Sequence, residues 1–320
     1  MHVKDANEYE DLLAEWSDLE SGLGIILSHP ESSQEFARRV QQYDRWMQSL
    51  LQRDADAGLY LLFQLASNSP VGYSASHALI CAVLCHLTAA MLDLPPKERD
   101  SLVRAALTMN VAMTAMQDVL ANQTERPSQV QQDMIRLHPV KGAMLLGNLG
   151  VQDEDWLEIV GSHHDPRIDE GDFASVAPAV RLCRILKMVD RYAAMISPRL
   201  SRAGRTATES ARTVLANSSA KTDAIGHALM CVVGLCPPGT FVRMDSDELG
   251  VVLRRSLKAN LPYVAIVGSA EGQLLPAPRL HATAQGAPSI SVALPASGVR
   301  AQLNHYQILR LGSFAAELFA

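Results

Sequence analysis

The chain has 320 residues, 48% of them hydrophobic, which is enough to bury a large core without disulfides or structural metals. The net charge of -6 excludes a global basic field, so we expect neither nucleic acid nor an anionic membrane as a nonspecific partner. The five cysteines form no CxxC pair, which favours a reducing compartment. Because the N-terminus lacks an apolar signal region and no run approaches the ~20 apolar residues of a membrane span, we expect a cytoplasmic protein.

The N-terminal two thirds of the sequence predicts helices. Residues 1–50 are expected to form a helical extension, since apolar side chains recur at helical spacing over 33–53 and Ser32 with Glu35 matches a capping box. Thr206 and Glu209 repeat that capping signal before a shorter helix. The other helical patterns cover 55–66, 76–92, 98–120, 129–149, 153–163, 178–195 and 221–234.

The pattern changes after Pro237 and Pro238. Short β-type segments follow, separated by Gly, Pro, Asn and Asp: FVRM, LGVVLRR, YVAIVG and ISVAL. The loosest stretch covers residues 268–288. The sequence therefore predicts a mainly α protein with a small β-rich C-terminal appendage at 235–320.

Side chains that bind metals stand out in the helical part. The candidate ligands are His77, His138, His163, His164 and Asp190. His138 lies in RLHPVKGAMLL, and Asp190 lies deep in the apolar pattern RILKMVDRYAAM. A charged carboxylate on such a face is costly unless it is paired or bound to a cation.

The order of these motifs resembles the HD-GYP family, bacterial members of the HD superfamily of metal phosphohydrolases that include cyclic di-GMP phosphodiesterases. In that family a histidine near the first helix precedes an HD pair, HPxxGA, HHE, GYP and a VAD-type aspartate. Here HPVKGA covers residues 138–143, HHD covers 163–165, and MVD ends at Asp190. The resemblance, which is close over residues 73–190, implies an HD-type helical bundle at 51–234.

The residues that give the family its name are missing. Family HDIGK is replaced by Asn110, Val111, Ala112, Met113 and Thr114, and GYP by Gly171, Asp172 and Phe173. A further family carboxylate, one helical turn before His77, is Tyr73 here. The resemblance therefore implies a degenerate member without an intact catalytic pair at Asn110 and Val111.

This loss limits the metal centre that the resemblance implies. In the family the aspartate of the pair bridges neighbouring ions, and two divalent cations about 4 Å apart repel by roughly 16 kcal/mol at an effective dielectric of 20. Val111 offers no charge to offset that repulsion. His138, His163 and His164 match the family's three histidines at one position, so we expect at most one transition metal ion: iron, manganese or zinc.

A purely structural interpretation stays open. Neutral histidines can satisfy one another through water, so the five candidate ligands can persist without an ion. Asn110 is then a hydrogen-bonding plug, and Val111 belongs to the core. His86, His227 and His281 are expected to be hydrogen-bonded structural residues.

Basic residues follow Asp190, in the region where the family grips phosphates and a guanine of its ligand. Arg199 and Arg202 occupy the matching positions, and a guanidinium can donate two hydrogen bonds to one phosphate. The alternative is that these two arginines and Arg205 form a solvated basic turn.

Three functions follow from this comparison. The leading hypothesis is a catalytically impaired HD-GYP protein that acts in cyclic di-GMP signalling by binding this or a related nucleotide, or a signalling protein. The second is a phosphodiesterase or other phosphohydrolase with a single-metal site. The third is a scaffold that binds neither metal nor nucleotide and contacts a partner through its helices or its β-rich part.

Overall fold

The computed structural model of the protein describes residues 6–68, 71–201, 204–217, 223–258, 260–295, 298–299 and 303–318. Helices dominate the first two thirds of these residues. They are α1 (Ala6–Ser28), α2 (Phe36–Arg53), α3 (Ala55–Asn68), α4 (Tyr73–Met91), α5 (Pro96–Thr108), α6 (Thr114–Ala121), α7 (Gln129–Asn148), α8 (Glu154–Ser162), α9 (Pro178–Ile196), α10 (Ala207–Asn217) and α11 (Asp223–Val233). The C-terminal part contains β1 (Phe241–Met244), β2 (Leu249–Arg254), β3 (Tyr263–Gly268), β4 (Leu274–Ala282), β5 (Ile290–Leu294) and α12 (His305–Leu318).

The predicted mainly α fold with a small β-rich C-terminal part is confirmed. One helical prediction is wrong in an informative way, because the pattern over 98–120 is not one helix. The helix α5 ends at Thr108, and a 3-10 turn at Val111–Met113 separates it from α6. This bend brings Val111 against Gly142 of α7, about one helical turn after His138.

The two capping signals had different outcomes. Ser32 belongs to a 3-10 turn, and Glu35 adopts a left-handed conformation with φ of 52°, so α2 begins at Phe36 and the predicted capping box is absent there. At α10 the box is confirmed: the Thr206 amide donates to Glu209 Oε2, and the Glu209 amide donates to Thr206 Oγ1, both at 3.1 Å. Ser128 forms a further box at the start of α7.

The sheet is antiparallel, with strand order β4-β3-β2-β1-β5. Alternate side chains of its central strands point to opposite faces, so one face joins the main core and the other forms a small apolar cluster around Val252 and Ile266. Strand β4 lies in the stretch expected to be loose. It contains Pro276 and Pro278 and lies at the sheet edge, where proline is tolerated.

The central helix of the protein is α4. It is the one helix in the described part of the chain long and apolar enough to cross a membrane, and 78% of its apolar window is buried inside the protein. The expectation that no segment approaches this length is therefore wrong for α4. Its nearly complete burial is that of a core helix.

The N-terminal, central and C-terminal segments share one hydrophobic core. Leu23, Ile185 and Leu253 are all buried in the same cluster. The division into segments 1–50, 51–234 and 235–320 stays a prediction, and the structure adds that packing is continuous across both proposed boundaries.

An ion pair fixes β2 of the C-terminal segment to the start of α3. Arg254 Nη1 lies 2.6 Å from Asp54 Oδ2, and the Asp54 side chain is only 4% exposed. The other oxygen of Asp54 accepts the Ala57 amide at 3.0 Å, so the same carboxylate caps α3.

We expect Asp54→Ala to lower the free energy of unfolding by about 2–4 kcal/mol, because it removes a helix cap and leaves Arg254 without its closest partner. Urea unfolding measures this effect. The control is Arg38→Ala, which breaks an exposed ion pair with Glu35 and should cost under about 1 kcal/mol. Equal effects of the two substitutions would show that the Asp54 contact contributes little.

Candidate metal and phosphate site

The five ligands predicted from the sequence lie in two clusters. One ligand atom from each of His138, His163 and His164 lies within 4.8 Å of the others. The second cluster joins His77 and Asp190, and within the same limit it also contains Cys81, which the sequence analysis missed.

Two helices position the three-histidine cluster. His138 lies within α7, and its Nδ1–H donates to the Ile135 carbonyl at 2.6 Å. His163 ends α8, and its Nδ1–H donates to the Val160 carbonyl at 2.8 Å. Because a carbonyl oxygen can only accept, both protons are assigned to Nδ1, and each neutral ring presents Nε2 as its lone-pair donor.

The two Nε2 atoms of His138 and His163 face each other at 3.2 Å. Burial lowers the pKa of His138 to about 4. Burial and the neighbouring His164 lower the pKa of His163 to about 3. At neutral pH two unprotonated nitrogens therefore face each other, an unfavourable contact that a cation would relieve. The residues present thus fit a transition metal, since imidazoles oriented by backbone carbonyls suit such ions.

The second cluster is built around a hydrogen bond between α4 and α9. His77 Nε2 donates to Asp190 Oδ1 at 2.8 Å. Burial opposes ionisation of Asp190, but the hydrogen bond and charge of His77, together with the charges of His163 and His164, lower its pKa to about 2. The expected pairing of this carboxylate is therefore present in the fold.

Cys81 joins this cluster from α4. Its Sγ lies 3.7 Å from His77 Nε2, and its side chain is fully buried. The available sequence signal was its position four residues after His77, since residues at this spacing share one face of a helix.

An aromatic and a basic side chain extend the second cluster. The Tyr73 ring stacks on His77 with centroids 5.4 Å apart. Arg199 lies with its guanidinium carbon 4.8 Å from the Tyr73 ring centroid and donates to the Tyr73 hydroxyl at 2.8 Å. Arg199 is half-buried, whereas Arg205 is exposed. Of these two arginines, only Arg205 fits the alternative expectation of a solvated basic turn. Arg202 lies outside the described residues.

The positions of the missing catalytic pair lie on the turn between α5 and α6. Val111 is 5% exposed and belongs to the main core, as predicted. A Cβ added at Gly142 of α7 would lie 3.8 Å from Val111 and 3.2 Å from Val160 of α8. The Asn110 carbonyl accepts the Met113 amide at 2.8 Å, and the predicted plug role of its side chain stays a prediction.

A buried arginine, also missed from the sequence, organises the loop after the histidine pair. Arg184 is 2% exposed and donates to the backbone carbonyls of Ile168, Glu170 and Gly171. Gly171 adopts a left-handed conformation with φ of 82°, which favours glycine. These hydrogen bonds fix the segment where the family has GYP.

The histidines predicted to be structural differ from one another. His281 Nε2 donates to the Pro288 carbonyl at 2.7 Å, which confirms the prediction for this residue. His227 Nε2 lies 3.6 Å from Cys231 Sγ. The prediction is wrong for His86 Nδ1, which is buried and has no hydrogen-bond partner within the described residues. Burial lowers the pKa of His86 to about 4.

Comparisons with known proteins agree with the fold. Residues 60–225 match the HD domain family. The chain is 29% identical over 225 residues to cyclic di-GMP phosphodiesterase PA4108 of Pseudomonas aeruginosa. The matched region is 68% of this chain and 52%, about half, of that protein. The fold of this chain is similar to that of Bd1817, an HDG"Y"P protein from Bdellovibrio bacteriovorus. The TM-score is 0.52, and the sequence identity is 15% over 72% of this chain and 74% of the other.

We expect metal-free protein to lose roughly 3–5 kcal/mol of unfolding free energy between pH 6.5 and pH 5. His86, His138 and His163 have lowered pKa values in the folded protein, so the unfolded chain, whose histidines titrate near pH 6.5, binds more protons in this window. Asp190 has a pKa of about 2, so its contribution to the unfolding free energy is lost only below about pH 4.

The measurement is urea unfolding in EDTA from pH 8 to pH 5. His163→Gln should flatten the profile, and His227→Gln, at an exposed position, should leave it unchanged. A wild-type profile that is already flat would contradict the assignment of neutral buried rings.

Proposed function

Because this chain belongs to the HD domain family and, within it, to the HD-GYP proteins, we propose that it acts in cyclic di-GMP signalling as a catalytically impaired member that binds a nucleotide or a protein partner. The main support is Val111, a buried hydrocarbon at the position of the family's bridging aspartate. We place this activity in the cytoplasm.

Arg199 is the side chain that we propose to contact a phosphate, with Arg202 beside it in the sequence. The guanidinium lies over Tyr73, which itself stacks on His77, so the charge is held beside the second cluster. A phosphate bound there would also gain from an ion at the three-histidine cluster, which would supply positive charge to a phosphate oxygen. The chain's own contribution is to orient His138 and His163 through their backbone hydrogen bonds.

A second function is supported by the three-histidine cluster itself. His138, His163 and His164 form a donor set sufficient for one iron, manganese or zinc ion with an open position. We propose residual phosphohydrolase activity at such a site as the alternative, directed at an activated phosphate ester.

Our prediction for the ligand concerns Arg199. Arg199→Ala should weaken cyclic di-GMP binding at least several-fold in calorimetry, because the side chain can donate two hydrogen bonds to one phosphate. Arg205→Ala is the matched control, since Arg205 is exposed and its side chain bonds to Thr213 instead. Equal affinities of wild type and Arg199→Ala would refute the proposed role.

For catalysis, we expect metal-replete wild-type protein to hydrolyse cyclic di-GMP no faster than its His138→Ala variant, because Val111 provides no bridging carboxylate for a shared nucleophile. Nucleotide separation by chromatography measures the product. Brisk turnover that disappears in His138→Ala would overturn the impaired assignment. The double change Asn110→His with Val111→Asp then asks whether the remaining pocket supports catalysis.

A further inference from the structure

The second cluster contains a thiol that a match to family motifs does not reveal. Cys81 is fully buried on α4, with its Sγ 3.7 Å from His77 Nε2. The same His77 nitrogen lies 2.8 Å from Asp190 Oδ1. The cluster therefore brings a thiol, an imidazole and a carboxylate together.

We propose that His77, Cys81 and Asp190 form a second metal position, in which the Cys81 thiolate supplies negative charge that this chain lacks at Val111. The inference rests on the proposed function only in assuming a metal at the neighbouring three-histidine cluster. It raises the expected number of ions from one to two per chain. The mixed sulfur, nitrogen and oxygen donors favour zinc or ferrous iron over magnesium or calcium.

The geometry of the three donors suits a tetrahedral ion. Neighbouring ligands around zinc are roughly 3.3–3.8 Å apart, given metal–ligand bonds of about 2.0–2.3 Å. The separation of 3.7 Å between Cys81 and His77 already lies in this range. The hydrogen bond between His77 and Asp190 must open by less than about 1 Å to admit the ion, and Cys81 Sγ lies within 4.8 Å of the Asp190 oxygen.

The charges also balance. The Asp190 carboxylate and a Cys81 thiolate together neutralise one divalent cation. Ligation forms the sulfur–metal bond and releases the Cys81 thiol proton to water. His77 Nε2, which donates to Asp190 without the ion, must also give up its proton, which can move to Nδ1 because that atom has no hydrogen-bond partner within the described residues. The Asp190 side chain is 19% exposed, which leaves a solvent side for ion entry and a water ligand.

Cys85 provides a matched control. It lies one turn further along α4, is equally buried, and is not part of the cluster. Cys231 provides a second control, since it is exposed beside His227 and can bind metal from solution adventitiously.

The experiment titrates cobalt(II) into EDTA-treated full-length protein. We expect a thiolate-to-cobalt absorption band in the near ultraviolet, lost in Cys81→Ala and kept in Cys85→Ala and Cys231→Ala. The binding stoichiometry should fall from two ions to one in Cys81→Ala. In His163→Ala, the near-ultraviolet band should persist, whereas the visible bands of the histidine-bound cobalt should weaken.

The outcomes separate this inference from the proposed function. Visible cobalt bands without a near-ultraviolet band would overturn the Cys81 site and leave the three-histidine site and nucleotide binding intact. A near-ultraviolet band that survives in Cys81→Ala would also overturn it. If Cys81→Ala does not fold, X-ray absorption of cobalt-loaded wild type decides, because the proposal requires a sulfur neighbour at about 2.3 Å. A spectrum with only nitrogen and oxygen neighbours would then refute it.

Discussion

Several polar side chains of the buried helix α4 pair with residues of neighbouring helices, and these pairings set the positions of the helices around it. The Ser74 hydroxyl donates to Asp118 of α6, and Ser76 donates to Glu20 of α1. His77 pairs with Asp190 of α9. Because an unpaired polar group in this core would cost about 1–3 kcal/mol, each pairing stabilises one neighbouring helix against α4. The metal clusters lie on a scaffold that these contacts have already fixed.

The site therefore keeps its oriented histidines and its fixed loop, but it lacks the acidic residue that the family has at position 111. Backbone carbonyls orient His138 and His163, and Arg184 fixes the loop that follows the histidine pair. Val111 fills its position with hydrocarbon and belongs to the core. Loss of the acidic residue has thus been absorbed as ordinary packing, which explains how the fold remains intact without it.

Much of this arrangement could be predicted, because helical periodicity and the spacing of histidines are local properties of the sequence. The rest depends on contacts between distant residues. Nothing in the apolar pattern of 98–120 marks the turn at Val111–Met113, whose position is determined by packing on α7. Strand β4 contains two prolines and is held by pairing with β3 and by packing of Leu275 and Leu280 on the apolar clusters. From the sequence, Cys81 resembles any buried cysteine, because Asp190 comes beside it only through the packing of α9.

Gly142 shows that part of the HPVKGA motif serves the packing of helices. A methyl group there would press on Val160 and approach the Met109 carbonyl, so the glycine sets how closely α7 approaches α8 and the turn that follows α5. The glycine allows the helices to pack closely, and the fold needs this packing whether or not the protein turns over a substrate. A survey that counts this glycine would therefore record how closely the helices pack and not whether a chain is a hydrolase.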